Sequence, residues 1–417
     1  MSAGRGGRRY YSGVRASVTP SGSGGRRACR WLAALVAAVW PATAGAQSTG
    51  AAASLLAGGT MDVRWATAPE IALSTPPAFD QETAYLTTRD GAVLAIALDT
   101  GAVQWRAEAA ATFTPAVGGG LVFVTTAGGV RALAASTGRV VWEKALPGRI
   151  AAPPYWDTGW LVLSFEGGDL AAFRAADGAL IWRVPLGAVA HVPPVPGLDN
   201  LYLGLADGRV VALALADGRL VWTQTFDGPA SGLTALDEQV LVGTVRGAVA
   251  SLHLTTGEAR WRFRTGAAVV AAPVADDARI YVVAYDHLLR ALDRRRGHLK
   301  WRRALPHRPA GGPVVTGGTV LVPVFATEQQ GFDGRTGSPT LKMTSAGEVA
   351  GATRFRVGGR ASGTRLTAVS TEGQLIAFAP RVEPAPAPIE ALPGLAVPEP
   401  PAPAQPPAVP PPSPRSR

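Results

Sequence analysis

Between residues 61 and 380, short apolar runs alternate with polar, glycine-bearing turns, and the whole pattern recurs about every forty residues. One period, residues 201–222, reads LYLGLADGRVVALALADGRLVW. Its apolar runs at 201–205, 210–215 and 220–222 are separated by Asp207-Gly208 and Asp217-Gly218, and glycine accepts positive φ in such turns without steric cost. A shorter run at 191–196 precedes them, and its prolines suit a strand with few ladder bonds. The period predicts a four-stranded antiparallel meander. The runs are too short and too often broken by glycine for a helical stripe.

Within the period a glycine is followed four residues later by tryptophan. The pairs are Gly101/Trp105, Gly138/Trp142, Gly178/Trp182, Gly218/Trp222, Gly257/Trp261 and Gly297/Trp301, with glycines 37 to 40 residues apart. Such a period marks stacked or circular arrays of small units, in which each sheet buries its faces against its neighbours. Each tryptophan can bury about 150–250 Å², or about 4–6 kcal/mol at ~25 cal/mol per Å².

Turns between second and third strands are expected at Asp90-Gly91, Gly128-Gly129, Gly167-Gly168, Asp207-Gly208, Arg246-Gly247, Asp286-His287, near Glu328, and at Glu372-Gly373. That makes eight units. The seventh has Leu341 in place of its tryptophan, and the eighth runs out at Pro380 before a last strand. Residues 61–66 carry Trp65 with no three strands before them. They are expected to complete the eighth unit and close the ring, which removes exposed sheet edges. The fold expected is all-β, an eight-bladed propeller over 61–380 with Trp65, Trp105, Trp142, Trp182, Trp222, Trp261 and Trp301 docking blade to blade.

Composition changes outside this span. Residues 1–46 hold seven arginines and no acid, then an apolar run at 32–40 and Ala44-Gly45-Ala46, the pattern of a cleaved export signal with cleavage after Ala46. Arg26-Arg27 leaves open whether export is general or twin-arginine. The run is short for a transmembrane span. Cys29, the one cysteine, lies before the run and not after it, so a lipoprotein is not expected. The leader supplies seven of the net +10 charges, which removes the case for nucleic acid that the whole-chain charge suggests. A short linker is expected at 47–60. Residues 381–417 hold 14 prolines and read as an extended spacer, or as a ligand for a proline-binding partner. The mature protein is expected to be a periplasmic or otherwise extracytoplasmic monomer.

Two stretches carry a family likeness. Residues 91–105 (GAVLAIALDTGAVQW) and 208–222 (GRVVALALADGRLVW) resemble the pyrroloquinoline-quinone-type propeller repeat: a glycine turn, a Val-x-Ala-Leu-like run, Thr-Gly or Asp-Gly, then tryptophan four residues on. The resemblance spans about 320 residues and implies the fold, with tryptophans between blades. It covers two kinds of protein, quinoprotein dehydrogenases and non-enzymatic scaffolds such as the BamB-like outer-membrane protein assembly factors. The dehydrogenases hold quinone with calcium, often against a disulfide of adjacent cysteines. This chain lacks such cysteines and the long insertions that build their pocket.

The reading that follows is a non-catalytic envelope scaffold binding envelope or outer-membrane proteins, with no catalytic, cofactor-binding or metal residues assigned. A quinone-dependent dehydrogenase with calcium, or a polysaccharide-binding propeller, is the alternative. No zinc-spaced histidine pair, phosphate loop or Gly-x-Ser-x-Gly occurs. Acids recur in equivalent turns (Asp90, Glu166, Asp169, Asp207, Asp286, Glu372), either as a cation site or as ordinary turn chemistry. Bases follow the tryptophans (Arg106, Lys144, Arg183, Arg262, Arg264, Arg302, Arg303, Arg308), either as a steering rim or as a solvated edge. Candidate contacts are Tyr155, Trp156 and Trp160 in the third blade, His287 in place of a turn glycine, and Arg302 with Arg303.

Overall fold

The computed structural model describes residues 60–68, 70–197, 199–357 and 364–381. The expected leader, linker and proline-rich tail fall outside them, except Thr60 and Arg381. Every regular element among the described residues is a strand. Blade 1 comprises Ala78–Phe79, Thr83–Thr87, Ala92–Ala97 and Val103–Glu108; blade 4 comprises Val195–Gly197, Asn200–Gly204, Arg209–Ala214 and Leu220–Thr225. Blades 2, 3, 5 and 6 repeat this plan as separate four-stranded sheets, while the last two blades share one eight-stranded sheet.

The sequence pattern explains the layering. Second and third strands, such as Thr83–Thr87 and Ala92–Ala97, are buried almost throughout, so they read as continuous apolar runs. Outer strands such as Leu220–Thr225 are exposed except where a side chain turns toward the next blade. The core is therefore divided into layers, one at each junction. Tyr202, Val210 and Trp222 of blade 4 meet Val240, Val242 and Leu252 of blade 5. Leu375 of blade 8 meets Leu73, Leu86 and Ile96 at the approach to and within blade 1, which closes the ring.

A bulge recurs in the outer strand of every blade. In blade 3, Leu180 pairs with Phe173 and Trp182 with Ala172, which leaves Ile181 as the extra residue. Arg64, Gln104, Val141, Val221, Arg260, Lys300 and Thr340 hold the same place in the other blades. The bulge turns two consecutive side chains outward and the next one, tryptophan in seven blades, inward. It also bends an edge that would otherwise invite pairing with another chain.

Each of those tryptophans reaches the following blade. The indole N–H donates to a carbonyl just past that blade's third strand: Trp65 to Leu98 (3.1 Å), Trp105 to Ala135 (2.8 Å), Trp142 to Ala175 (3.0 Å), Trp182 to Leu215 (2.8 Å), Trp222 to Leu254 (3.0 Å), Trp261 to Arg294 (3.2 Å) and Trp301 to Gly334 (3.0 Å). Tyr202 and Tyr281 donate their hydroxyls to the Leu254 and Gly334 carbonyls, both at 3.0 Å, so these two acceptors serve a tyrosine and a tryptophan at once.

The expected closure holds. Thr60–Ala66 pairs antiparallel with Leu375–Pro380 of blade 8. It also pairs in parallel with the outer strand of blade 7, Pro339–Thr344, through Thr60 with Lys342 and Met61 with Met343. Arg381 adds an amide bond to the Thr60 carbonyl (2.9 Å) and grips the Asp62 carboxylate with two bonds of 2.8 Å.

The irregular seventh blade keeps the plan of the others. Its outer edge is occupied by the N-terminal strand. Its third strand, Glu328–Asp333, is present despite its polar start. The buried Gln329 amide accepts from the Val324 N–H (2.9 Å) and donates to the Val324 and Ala326 carbonyls (2.9 and 2.8 Å). It satisfies backbone groups beyond the three-residue second strand, Thr319–Leu321.

Candidate interaction face

In a four-stranded meander the turns between second and third strands emerge opposite the turns that follow the first and third. The linkers between blades emerge beside the former, and together they form what we call the upper face. The recurrent acids lie here or beside it, and all but the exposed Glu372 have their charges matched within the fold. Asp90 accepts from the Thr88 hydroxyl and from Arg106 at 2.5 Å. The Thr88 bond first, then Arg106 and the Ala92 amide, hold its carboxyl down at about 2. Arg183 meets Asp169 at 2.5 Å, Arg209 meets Asp207 at 2.6 Å and Arg149 meets Glu166 at 3.6 Å.

Asp286 is the most enclosed of the acids. Arg290, its partner, has a side chain only 8% exposed. Burial pushes the Asp286 carboxyl up, but Arg290 and the Leu288 and Gly266 amides outweigh it and hold the group below the usual carboxylate range. Next to it, His287 is exposed at φ 60°, in the left-handed conformation that Gly208 adopts at the same turn of blade 4.

Most of the basic side chains after the tryptophans are also engaged. Arg183 lies over Phe165 (4.8 Å), Arg262 over Phe226 (5.1 Å) and Lys144 over Phe173 (5.9 Å). Arg264 is bound to Asp227. Arg303 donates to the Gly337, Thr336 and Arg302 carbonyls at 2.7, 3.0 and 3.0 Å, fastening blade 6 to blade 7. Arg302 beside it is exposed.

The third-blade aromatics are not free anchors. Tyr155, Trp156 and Trp160 are half-buried. The Trp156 ring lies so close to Gly118 of blade 2 that a Cβ there has no room. Tyr155 and Trp160 pack on the layer between blades 3 and 4, and burial raises the Tyr155 phenol above its ordinary pKa.

On the opposite face, a cleft of about 540 Å³ between blades 5 and 6 is lined by Asp237, Glu238, Gln239, Arg260, Asp277, Arg294 and Arg295. Its charges are mixed, and Arg260 already meets Glu238 at 3.3 Å.

Sequence reasoning missed Val245, Tyr285 and Phe325. All three are exposed large apolar residues on the upper face, in the turns that follow the second strands of blades 5, 6 and 7. Their forty-residue spacing was the available signal.

The geometry agrees with known proteins. The chain matches the family model for outer membrane protein assembly factor BamB over residues 46–148, 89–232 and 206–385. BamB from Moraxella catarrhalis is similar with a TM-score of 0.63 at 19% identity, over 76% of this chain and 97% of that one. The quinohemoprotein alcohol dehydrogenase of Comamonas testosteroni gives a TM-score of 0.66 at 13% identity, over 80% of this chain and 78% of that one. The computationally designed Ika8 protein gives 0.63 at 13%, over 74% and 96%. No curated protein matches the chain. These structural likenesses establish the fold, and the family match runs through all the blades: the chain belongs to the family of outer membrane protein assembly factor BamB.

Proposed function

We propose that this protein is an exported, non-catalytic scaffold that binds other proteins of the bacterial cell envelope, in the manner of an outer-membrane protein assembly factor. The observation that carries the reading is the pairing of turn carboxylates with arginines. Asp90, Asp169, Asp207 and Asp286 each spend their charge on a guanidinium. What remains on the upper face is backbone, apolar surface, unpaired bases and the scattered acids Glu348 and Glu372, which suit contact and not chemistry. The family match supports it. Among the described residues no helix is long and apolar enough to cross a membrane.

The quinoprotein alternative fits this chain poorly. Calcium beside a quinone needs clustered oxygen donors. Here the turn acids Asp90, Glu166, Asp169, Asp207 and Asp286 are tied to arginine, and no group of three or more His, Cys, Asp or Glu among the described residues is placed to hold a metal. The polysaccharide reading loses its platform, because Trp156 is seated on blade 2.

Titration with pyrroloquinoline quinone and calcium tests the choice. The scaffold reading expects no bound-quinone absorbance and no alcohol-dependent dye reduction. Saturable quinone uptake with dye reduction overturns it.

A further inference from the structure

Seven blades use one residue, in the turn after the second strand, to tie that upper-face turn to the preceding linker. Its amide donates to a linker carbonyl: Arg89 to Ala72, Glu166 to Arg149, Ala206 to Val189, Val245 to Pro229, Tyr285 to Ala268, Phe325 to Arg308 and Thr371 to Glu348, all at 2.8–3.0 Å. The structural duty is met by the backbone, so the fold makes no demand on the side chain. In four of these blades it is charged, polar or small. In blades 5, 6 and 7, which are consecutive, it is Val245, Tyr285 and Phe325, exposed by 44, 46 and 38%. Every other exposed large hydrophobic side chain among the described residues lies on an outer strand. Exposing these three costs solvation that a polar residue would avoid, and nothing in the fold returns it.

The unpaired charge around them is mostly positive. Arg308 lies over the Tyr285 ring at 5.5 Å while its carbonyl accepts the Phe325 amide at 3.0 Å, so it sits between the two aromatics. Arg246 follows Val245, and His287 lies in the Tyr285 turn. Arg246 and Arg308 have no carboxylate within ion-pair distance among the described residues. Of the acids nearby, Asp227 is bound by Arg264, Asp286 by Arg290 and Glu328 by Lys342, while Glu348, in the linker after blade 7, has no ion pair among the described residues.

We propose that Val245, Tyr285, Phe325, Arg246 and Arg308 form the docking surface for an acidic, apolar-bearing segment of a partner protein. The proposal rests on the scaffold reading and names the chemistry of its partner. Tyr, Phe and Arg around a small apolar centre are the residues that carry protein interfaces. The unpaired guanidiniums require carboxylates opposite them. A bilayer is a poorer occupant, because its insertion needs side chains that stand well clear of the surface. These are less than half exposed.

The test is selection of short random displayed peptides on the immobilised protein, followed by affinity measurement on synthetic copies. Retained peptides are expected to be net acidic, to carry Phe, Leu or Trp, and to release as salt rises. Their binding should weaken about tenfold or more, the scale of one interface anchor at 1.4 kcal/mol per decade, in Y285S/F325S and in Arg308→Glu. The melting temperature of both variants should stay within about 2 °C of the parent, as for surface changes. Neutral or basic peptides, binding unaffected by the substitutions, or no retained peptide would each overturn the proposal. So would vesicles of phosphatidylglycerol in phosphatidylcholine that sediment the parent protein but not Y285S/F325S, because they assign the patch to a membrane. Envelope crosslinks confined to other faces would overturn the patch while leaving the scaffold reading in place.

Discussion

Trp261 of blade 5 lies against Gly297 of blade 6, so close that a Cβ on the glycine would stand 2.5 Å from the ring. The glycine and tryptophan that stand four apart in sequence are thus partners in different clasps. Gly297 receives Trp261 from the blade before, and Trp301 goes on to Gly337 in the blade after. Gly297 is also held at φ +71°. Gly297→Ala therefore meets both left-handed strain and a clash, and is expected to cost about 2–4 kcal/mol. Denaturant unfolding with an unchanged m-value would register it. A loss below about 0.5 kcal/mol would mean that the clasp yields.

Leu341 tests the same relationship in reverse. Blade 8 has no glycine turn between its third and outer strands, because the N-terminus supplies the outer strand. A tryptophan at 341 has no glycine to dock on, and Leu341 instead packs with Met61, Met343 and Phe378. Restoring the repeat consensus with Leu341→Trp is expected to destabilise by about 1–3 kcal/mol through overpacking. A stabilised protein in thermal unfolding would refute this explanation of the missing tryptophan.

Much of this was legible in the sequence. The Gly-x₃-Trp period, the turns and the orphan strand at 61–66 determine blade number and closure because they are local and repeated. The direction of the clasp was not legible, since Trp261 is as far from Gly297 in sequence as one repeat allows. The bulge at Ile181 was hidden because it inserts a residue without any special residue type. The role of Gln329 was hidden for a similar reason: its partners are backbone groups of Val324 and Ala326, which a side-chain pattern does not record. The seat of Trp156 was hidden because sequence shows an extra tryptophan but not Gly118 beneath it.

Gln329 yields a sharper stability prediction. Gln329→Leu keeps the volume but leaves the Val324 N–H buried without a partner, while the Val324 and Ala326 carbonyls keep the Ala326 and Val349 amides. The expected cost is about 1–3 kcal/mol, that of one unsatisfied buried donor. Hydrogen exchange at Val324 should accelerate in step with the loss. An exchange rate like that of the parent would contradict the assignment.

His287 is held in a conformation that favours glycine. His287→Gly is expected to stabilise by about 0.5–1 kcal/mol, the relief of left-handed strain less the extra entropy of the unfolded glycine. A lower melting temperature would show that the His287 side chain contributes to the fold.

Acid should loosen the upper face. The Asp90 carboxyl is held at about 2 by Thr88, Arg106 and the Ala92 amide, against 3.8 for the free group. A depressed folded-state value contributes stability that is complete above pH 4 and lost as pH falls toward 2. Asp286 is shifted in the same direction. The parent is expected to lose stability through that window, and D90N/D286N to start lower at neutral pH and lose less. Parallel curves for parent and variant would show that these pairs do not link folding to protons.

The central claim is that this propeller works by binding envelope proteins through its upper face. The most direct measurement is crosslinking of the tagged mature protein in its own cell envelope, with purification and mass spectrometry of the crosslinked residues. The account predicts recovery of an outer-membrane barrel-assembly protein, joined to the turns and linkers of the upper face. Recovery of the propeller alone, with no partner at any crosslinker length, would contradict it.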